Sequence, residues 1–462
     1  MSFDKCLALL FSIMILVQAY WMRRRVGTWL FPACLFGLFW FAYSFVPLAV
    51  LFWMPAEPYA IGFLFLCTLV FSIGSMPFDW KRAFAINAEK RGEAAAMYGS
   101  SFLKAVFYMA TLASLVLVIL SSLAQGFSVH DFFFDLYATA TAFALMRYSE
   151  NLNANIYGPL SIVCVYLGGI LGGLVYSTVP TKTERRLILF LSFLPSILLA
   201  VAQSSKGSLF LSIVFFYGGI LVYRVAANTL RLFEKASIKS LVLYAALLIS
   251  ITTVSMVARG LAAIEDTSEV ATRILNYYSL YAFGHIYAFS DWFAFLIGRH
   301  SELSYNQEGA SYGFYTFAPL FRLMGSHKEL PLGTYDDFYS SGDSIPTNIF
   351  TMFRGLIQDF GLAGTILFML ASSILLHWAF RTMLRNRRPA FTVAVFVFMM
   401  GYFYQSALIS MLIWNSVYIT FALVWIVLER NRLILQRDGG WFASPAQPAQ
   451  GRARLESQSS RH

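Results

Sequence analysis

The chain has 462 residues, of which 58% are hydrophobic, 17% aromatic and 13% charged. Soluble globular chains carry about 25% charged and roughly 45–50% apolar residues, so this balance excludes an ordinary soluble enzyme and a disordered protein. It leaves a polytopic membrane protein, whose 34 Lys and Arg against 24 Asp and Glu (net +10) point first to basic cytoplasmic loops rather than to nucleic acid.

The first apolar run, 5–22, is followed by its charges, Arg23, Arg24 and Arg25. That is the reverse of a cleavable signal peptide, so the run reads as a membrane helix. Ten more spans are expected near 28–54, 59–79, 102–123, 156–177, 187–204, 206–224, 240–258, 360–380, 390–408 and 411–429, each close to the ~20 residues that cross a bilayer. Gly168, Gly169, Gly172 and Gly173 in the fifth span allow a neighbouring helix to come close. Trp21, Trp29, Trp53, Trp80 and Trp425 fall near span ends, where aromatic belts belong. The four cysteines, Cys6, Cys34, Cys67 and Cys164, lie singly in apolar runs and read as small buried residues.

Basic residues alternate between loops. One set holds Arg23 to Arg25, then Lys81, Arg82, Lys90 and Arg91, then Lys182, Arg185 and Arg186, then Arg224, Arg231, Lys235 and Lys239, then Arg381, Arg385, Arg387 and Arg388, and last Arg430, Arg432 and Arg437. The positive-inside bias puts this set in the cytoplasm, with the N-terminus outside and the C-terminus inside. Two further apolar runs are read as helices at the outer interface rather than as spans: 132–146, which is short, and 277–297, which carries His285 and Asp291. The organisation expected is a membrane bundle over 1–258, an external loop over 259–359, C-terminal membrane helices over 360–429 and a tail over 430–462 rich in Gly, Pro, Ser, Gln and Arg, and so disordered.

A loop as long as 259–359 is unusual unless it is functional. It holds five arginines, Arg259, Arg273, Arg299, Arg322 and Arg354, with Lys328 and eleven acids, Asp291, Asp337 and Asp359 among them. Guanidinium suits pyrophosphate in bidentate geometry. Aromatics interleave with these charges, including Tyr281, Tyr287, Trp292, Tyr305 and Tyr315; flat rings stack on sugar C–H faces while carboxylates bind hydroxyls. Arg147, Arg273 and Arg322 each precede a glycine by eleven residues, at Gly158, Gly284 and Gly333. Eleven residues at about 100° each return to within about 20° of one helical face, so Arg273, Gly284 and Asp291 would share a stripe on a continuous helix.

The block Pro346-Thr347-Asn348-Ile349-Phe350-Thr351-Met352-Phe353-Arg354, followed by Gln358-Asp359-Phe360-Gly361 and a span, resembles the Wzy-type O-antigen polymerases, which join oligosaccharide repeat units. Tyr312-Gly313 with Thr316-Phe317 and Gly325, the long late outer loop and the Arg-to-Gly spacing resemble the same family. Ser204-Ser205-Lys206-Gly207 stands where related polymerases and O-antigen ligases often have Ser-Arg-Gly; lysine keeps the charge but loses the fork. The resemblance implies an all-α, GT-C-like membrane glycosyltransferase with about eleven spans in the bacterial inner membrane, its active site facing the periplasm. The substrates implied are undecaprenyl-pyrophosphate-linked oligosaccharides, with membrane lipid around them and a polysaccharide chain-length regulator as partner. Arg273, Arg322, Arg354, Lys206 and Arg259 are then the candidates for holding the leaving pyrophosphate. Tyr281 and Trp292 are the candidates for the sugar, and the base is sought among His285, Asp291 and Asp359. No Asp-x-Asp signature stands in the loop, so neither a divalent metal nor another cofactor is expected. A ligase using the same chemistry, or a flippase for the lipid-linked glycan, are the alternatives.

The orientation is testable by labelling. Cysteine placed at Gly333 or Ser341 is expected to react with an impermeant thiol reagent in intact spheroplasts, and cysteine at Asn386 is not; the opposite pattern inverts the topology.

Overall fold

The computed structural model describes residues 3–89, 93–149, 151–203, 205–233, 238–257, 267–305, 309–328, 330, 335–340 and 347–437. In chain order its α-helices are α1 (Phe3–Val26), α2 (Pro32–Val50), α3 (Pro58–Ile73), α4 (Trp80–Glu89), α5 (Glu93–Tyr98), α6 (Ser101–Leu123), α7 (Val129–Phe134), α8 (Leu136–Tyr148) and α9 (Tyr157–Tyr176). Beyond these come α10 (Lys182–Ala202), α11 (Lys206–Ala226), α12 (Ile238–Val257), α13 (Thr267–Ser279), α14 (His285–Leu296), α15 (Phe314–Leu323), α16 (Thr351–Arg385), α17 (Phe391–Gln405) and α18 (Asn415–Arg437). A π-turn, Leu280–Gly284, joins α13 to α14, and a 3-10 turn, Met411–Ile413, precedes α18. Among the described residues there is no β-strand, only an isolated antiparallel bridge between Tyr339 and Thr347.

Helix is the form an apolar chain takes where no water can bond its backbone. Among the described residues seven helices, α1, α2, α6, α9, α10, α11 and α16, are long and apolar enough to cross a membrane, and shorter apolar stretches lie in α3, α12 and α17. The protein is a multi-pass, all-helical membrane protein. Each of the eleven expected runs coincides with a helix, but α3 and α17, with 16 and 15 residues, are shorter than ~20.

Polar contacts gather the loops at two ends. At one, Thr28 Oγ1 donates to the Leu230 carbonyl (2.9 Å), Asn87 Nδ2 to Val225 (2.9 Å) and Asn431 Nδ2 to Met97 (2.8 Å), and Lys104 pairs with Glu184 (2.8 Å). At the other, Lys5 Nζ reaches the Met54 carbonyl and the Tyr287 hydroxyl (2.8 Å each), the Glu57 amide donates to Ser290 Oγ (2.5 Å) and the Met352 amide to the Ser406 carbonyl (2.9 Å). These are the same two sets of loops that the alternation of basic charge separates, and the 267–359 segment caps the second end.

Both interfacial expectations change in detail. The 132–146 run is broken at Asp135, which ends α7 and whose carboxylate caps α8 by accepting from the Ala138 amide (3.3 Å). The 277–297 run is not a surface helix. Beyond the π-turn, α14 buries His285 to Ser290 and Trp292 to Ala294 and packs on α2, α3 and α16. The Arg-to-Gly stripe is absent as well. The π-turn adds about one residue to the ladder and so rotates α14 by about 100° relative to α13. Arg147 and Gly158 lie on different helices, and Gly333 lies outside the described residues, as do Arg259 and the 438–462 tail.

The centre of the bundle is α9, on which α6, α10, α11 and α18 pack. Its glycines meet α11 backbone to backbone: a Cβ on Gly219 would lie 2.7 Å from the Ile170 carbonyl oxygen and 2.8 Å from the Leu174 amide, and one on Gly173 would strike the Phe216 carbonyl. Gly219→Val should therefore push the two helices apart and cost at least the ~1–3 kcal/mol typical of overpacking. Gly207→Ala, whose Cβ meets nothing within 4 Å, should not. Thermal melting of the two variants in detergent checks this; equal melting temperatures would place the α9–α11 contact elsewhere.

Candidate functional site

The block from Thr347 to Gly361 folds as a clamp followed by a short helix. Tyr339 and Thr347 exchange both backbone hydrogen bonds (2.8 Å each), and Asn348 Nδ2 donates to the Tyr335 carbonyl (3.4 Å). The 335–340 segment is thereby laid along 347–350. Thr351 then takes φ 68°, an outlier for a β-branched residue, and its hydroxyl accepts from the Phe353 amide (3.2 Å) to start the helix. Ten residues later Gly361, at φ 68° and ψ 179°, breaks the helix in a region open almost only to glycine. The membrane-crossing part of α16 lies beyond the break.

Arg354 lies in the short helix with its side chain 3% exposed. One guanidinium nitrogen, Nη2, pairs with Asp337, which the clamp delivers. The planar group sits 4.1 Å from the ring centres of both Tyr335 and Phe350, with Trp292 and Tyr305 at 5.4 and 5.5 Å. Nε and Nη1 have no hydrogen-bond partner among the described residues. Taking an ion out of water costs several kcal/mol, and a cation–π contact returns about 0.5–2 kcal/mol. A well-packed hydrophobic residue would serve stability as well or better, so this cation is held for its charge.

Asp359 is one turn and a half further on and 1% exposed. Its Oδ1 accepts from the Ser311 hydroxyl (2.6 Å) and the Tyr315 amide (3.0 Å); Oδ2 is buried with no partner among the described residues. Thr316 Oγ1 and Gln358 Oε1, on the same two helices, are likewise buried without one. Tyr335 links the two centres, since it stacks on Tyr315 (5.4 Å) on one side and on the Arg354 guanidinium on the other. Buried polar atoms are nearly all hydrogen-bonded in native proteins. A cation, a carboxylate, a hydroxyl and an amide are thus gathered with donor and acceptor atoms that no described residue engages.

The other expected residues are distributed differently. Trp292 belongs to the Arg354 cage. Asp291 stands behind it: Oδ1 accepts from the Glu302 amide and Oδ2 from the Tyr305 hydroxyl (2.7 Å each), so it pins a ring of the cage. Burial and then the Asp291 bond push the Tyr305 phenol far above its ordinary pKa, so it stays a donor. Among the described residues none of the polar or ring contacts of Arg354 involves Arg273, Arg322 or Lys206. Arg273 pairs with Glu269 on the exposed face of α13 (2.6 Å), Arg322 is exposed near the end of α15, and Lys206 opens α11. Tyr281 is exposed on the π-turn. Asp337, Tyr335, Phe350 and Ser311 were not among the expected residues. Phe350 stood inside the 346–354 block and Asp337 in the acid pair Asp336-Asp337, but which arginine that pair serves depends on the Tyr339–Thr347 bridge.

His285 is 2% exposed. Its Nε2 is 3.0 Å from the Tyr43 carbonyl oxygen, which only accepts, so Nε2 carries the proton and Nδ1 the lone pair. Nδ1 is buried with no partner among the described residues. Compared with protein-family models, with curated proteins and with solved structures, the chain matches none.

Burial outweighs the Tyr43 bond and lowers the His285 imidazole from 6.5 to about 4. The unfolded chain takes up this proton near pH 6.5 and the folded chain only near 4. The stability is therefore complete above about 6.5 and declines as pH falls through that window, by at most about 1.4 kcal/mol per pH unit. His285→Gln, which keeps a donor to Tyr43, is expected to flatten the fall in melting temperature between pH 6.5 and 4 in detergent. Unchanged pH dependence in this variant would show that the ring titrates normally.

Proposed function

We propose that the protein is a glycosyltransferase that polymerises undecaprenyl-pyrophosphate-linked oligosaccharide repeat units into O-antigen or a related surface polysaccharide, at the periplasmic face of the bacterial inner membrane. In this reading all eleven helical runs cross the bilayer, in a GT-C-like arrangement, and the end capped by 267–359 faces outward. The observation that carries it is the coincidence of two independent findings. The stretch resembling the Wzy-type polymerases, 346–361, is the one that buries Arg354 and Asp359 in a single cluster of rings, hydroxyl and amide.

The chemistry rests on these groups. An acceptor hydroxyl attacks the anomeric carbon of the donor glycan, the bond from that carbon to the pyrophosphate oxygen breaks, and the hydroxyl proton passes to a base. The pyrophosphate gains negative charge as it leaves, and the Arg354 guanidinium, whose Nε and Nη1 pair with no described residue, supplies positive charge and a hydrogen-bond donor to it. Asp359 Oδ2 takes the place of the base because it lies in the cluster that Tyr335 joins to Arg354, ahead of Asp291, both of whose oxygens are engaged, and of His285, whose Nε2 is tied to the Tyr43 carbonyl. A chain-length regulator is the expected partner.

Purified protein with lipid-linked repeat units tests the assignment. Arg354→Ala and Arg354→Lys should both lower turnover by ~100- to 1000-fold, since lysine lacks the fork. Asp359→Asn, which preserves shape and the Ser311 bond, should lower it by ~100- to 10,000-fold. Folding is monitored by the melting transition. Full activity in folded Asp359→Asn removes the base, and transfer of finished glycan to a lipid A core acceptor without polymerisation makes the protein a ligase instead.

A further inference from the structure

The helix α15 ends in a cap that holds apolar residues outward. Gly325 (φ 89°) donates to the Arg322 carbonyl (3.0 Å) and Ser326 to the Phe321 carbonyl (2.9 Å), the paired bonds of a Schellman ending. This fixes the last turn, yet Leu323 is 84% and Met324 73% exposed, with Leu320 also exposed beside them. Arg322 and Lys328 lie at the same tip, and Lys328 stands 4.8 Å over the Phe314 ring. Each large apolar side chain left in water forgoes roughly 1.5–3 kcal/mol of burial, and here the backbone is bonded so as to keep two of them there.

The neighbours of α15 say what covers them. The helix packs on α16 and on the 3-10 turn Met411–Ile413. Its Phe317 ring lies 6.1 Å from Phe368, which is two turns inside the membrane-crossing part of α16. That places the middle of α15 on the flank of a spanning helix, about 10 Å past its break at Gly361. On α16 the outward residues there are Leu362 and Leu367, the latter 66% exposed. Leu320, Leu323 and Met324 extend this apolar surface sideways, and Arg322 adds positive charge at its margin, where phosphate headgroups lie.

We propose that the tip of α15, Leu320 to Met324, is inserted in the adjacent leaflet of the bilayer, with Leu323 and Met324 among acyl chains and Arg322 at the phosphates. The proposal does not depend on the reaction catalysed. Because the first turn of α15, before a kink at Phe317 (φ −127°, ψ 35°), supplies the Tyr315 amide to Asp359, one short kinked segment links the leaflet to the buried site.

The test uses full-length protein in lipid nanodiscs, its native cysteines replaced by alanine and a nitroxide label placed at Leu323→Cys, Met324→Cys, Leu367→Cys or His300→Cys in turn. The labels at 323 and 324 are expected to be more accessible to oxygen than to a water-soluble nickel chelate, as at 367 and unlike the exposed 300. Dominant access to the nickel chelate at 323 and 324 would show a tip in water. Access to neither reagent would show a tip covered by protein, including a second copy of this chain. Either result overturns the proposal. The melting transition of each labelled variant must match that of the cysteine-free parent.

Discussion

Hydrocarbon offers a peptide group nothing to bond to, and the arrangement of this chain is a response to that. Every long apolar run closes its own hydrogen bonds as helix, and irregular backbone is pushed to the ends of the bundle or covered by other protein. With no water to expel between helices, close contact has to come from shape, which is why the glycines of α9 meet the backbone of α11. The same constraint explains the outer segment. Its bridge, its π-turn and the break at Gly361 occur around the ends of α2, α3 and α17 and the start of α16, and the segment satisfies itself by clasping those ends, as the Tyr287 hydroxyl does on the Leu51 carbonyl (2.7 Å).

Within that segment the arginines divide by solvation. Arg273 and Arg299 have acidic partners at the surface, in Glu269 and Glu57, and such exposed pairs are worth ~1 kcal/mol or less. Arg354 is buried, and water no longer screens its field. A charge in that setting acts strongly on whatever anion reaches it. Beyond Asp337, no described residue engages its Nε and Nη1. The Asp291–Tyr305 bond then matters at a distance from any ligand, because it fixes one wall of the cage.

The helices could be read from the chain because each depends on its own composition: apolar length, flanking charge, a glycine or tryptophan at the end. The 346–361 block stood out for a similar reason, its residue types being unusual so close to a span. Pairings were not legible in the same way. Asp337 meets Arg354 only because Tyr339 and Thr347 bridge, and nothing in a spacing rule carries that. The helical stripe through Arg273, Gly284 and Asp291 failed at five residues, Leu280 to Gly284, whose π geometry is set by packing and leaves no mark in the composition. His285 looked like a base because an imidazole titrates near neutrality in water; the structure takes the water away.

Lys5 bears on how the protein is made. Its ammonium closes over the Leu51 and Met54 carbonyls, both available soon after the second helix is synthesised, but its third partner is the hydroxyl of Tyr287, 282 positions later in the chain. From Met54, where the hairpin closes, the chain has 233 residues to grow before Tyr287, roughly 12–47 seconds at a synthesis rate of about 5–20 residues per second. Through that interval the first hairpin must persist in the membrane with a cation near its outer rim waiting for the chain to return. Assembly of the segment between α12 and α16 is thus tied to a helix made long before it, and damage to α1 would be felt late, when α14 arrives and finds no anchor.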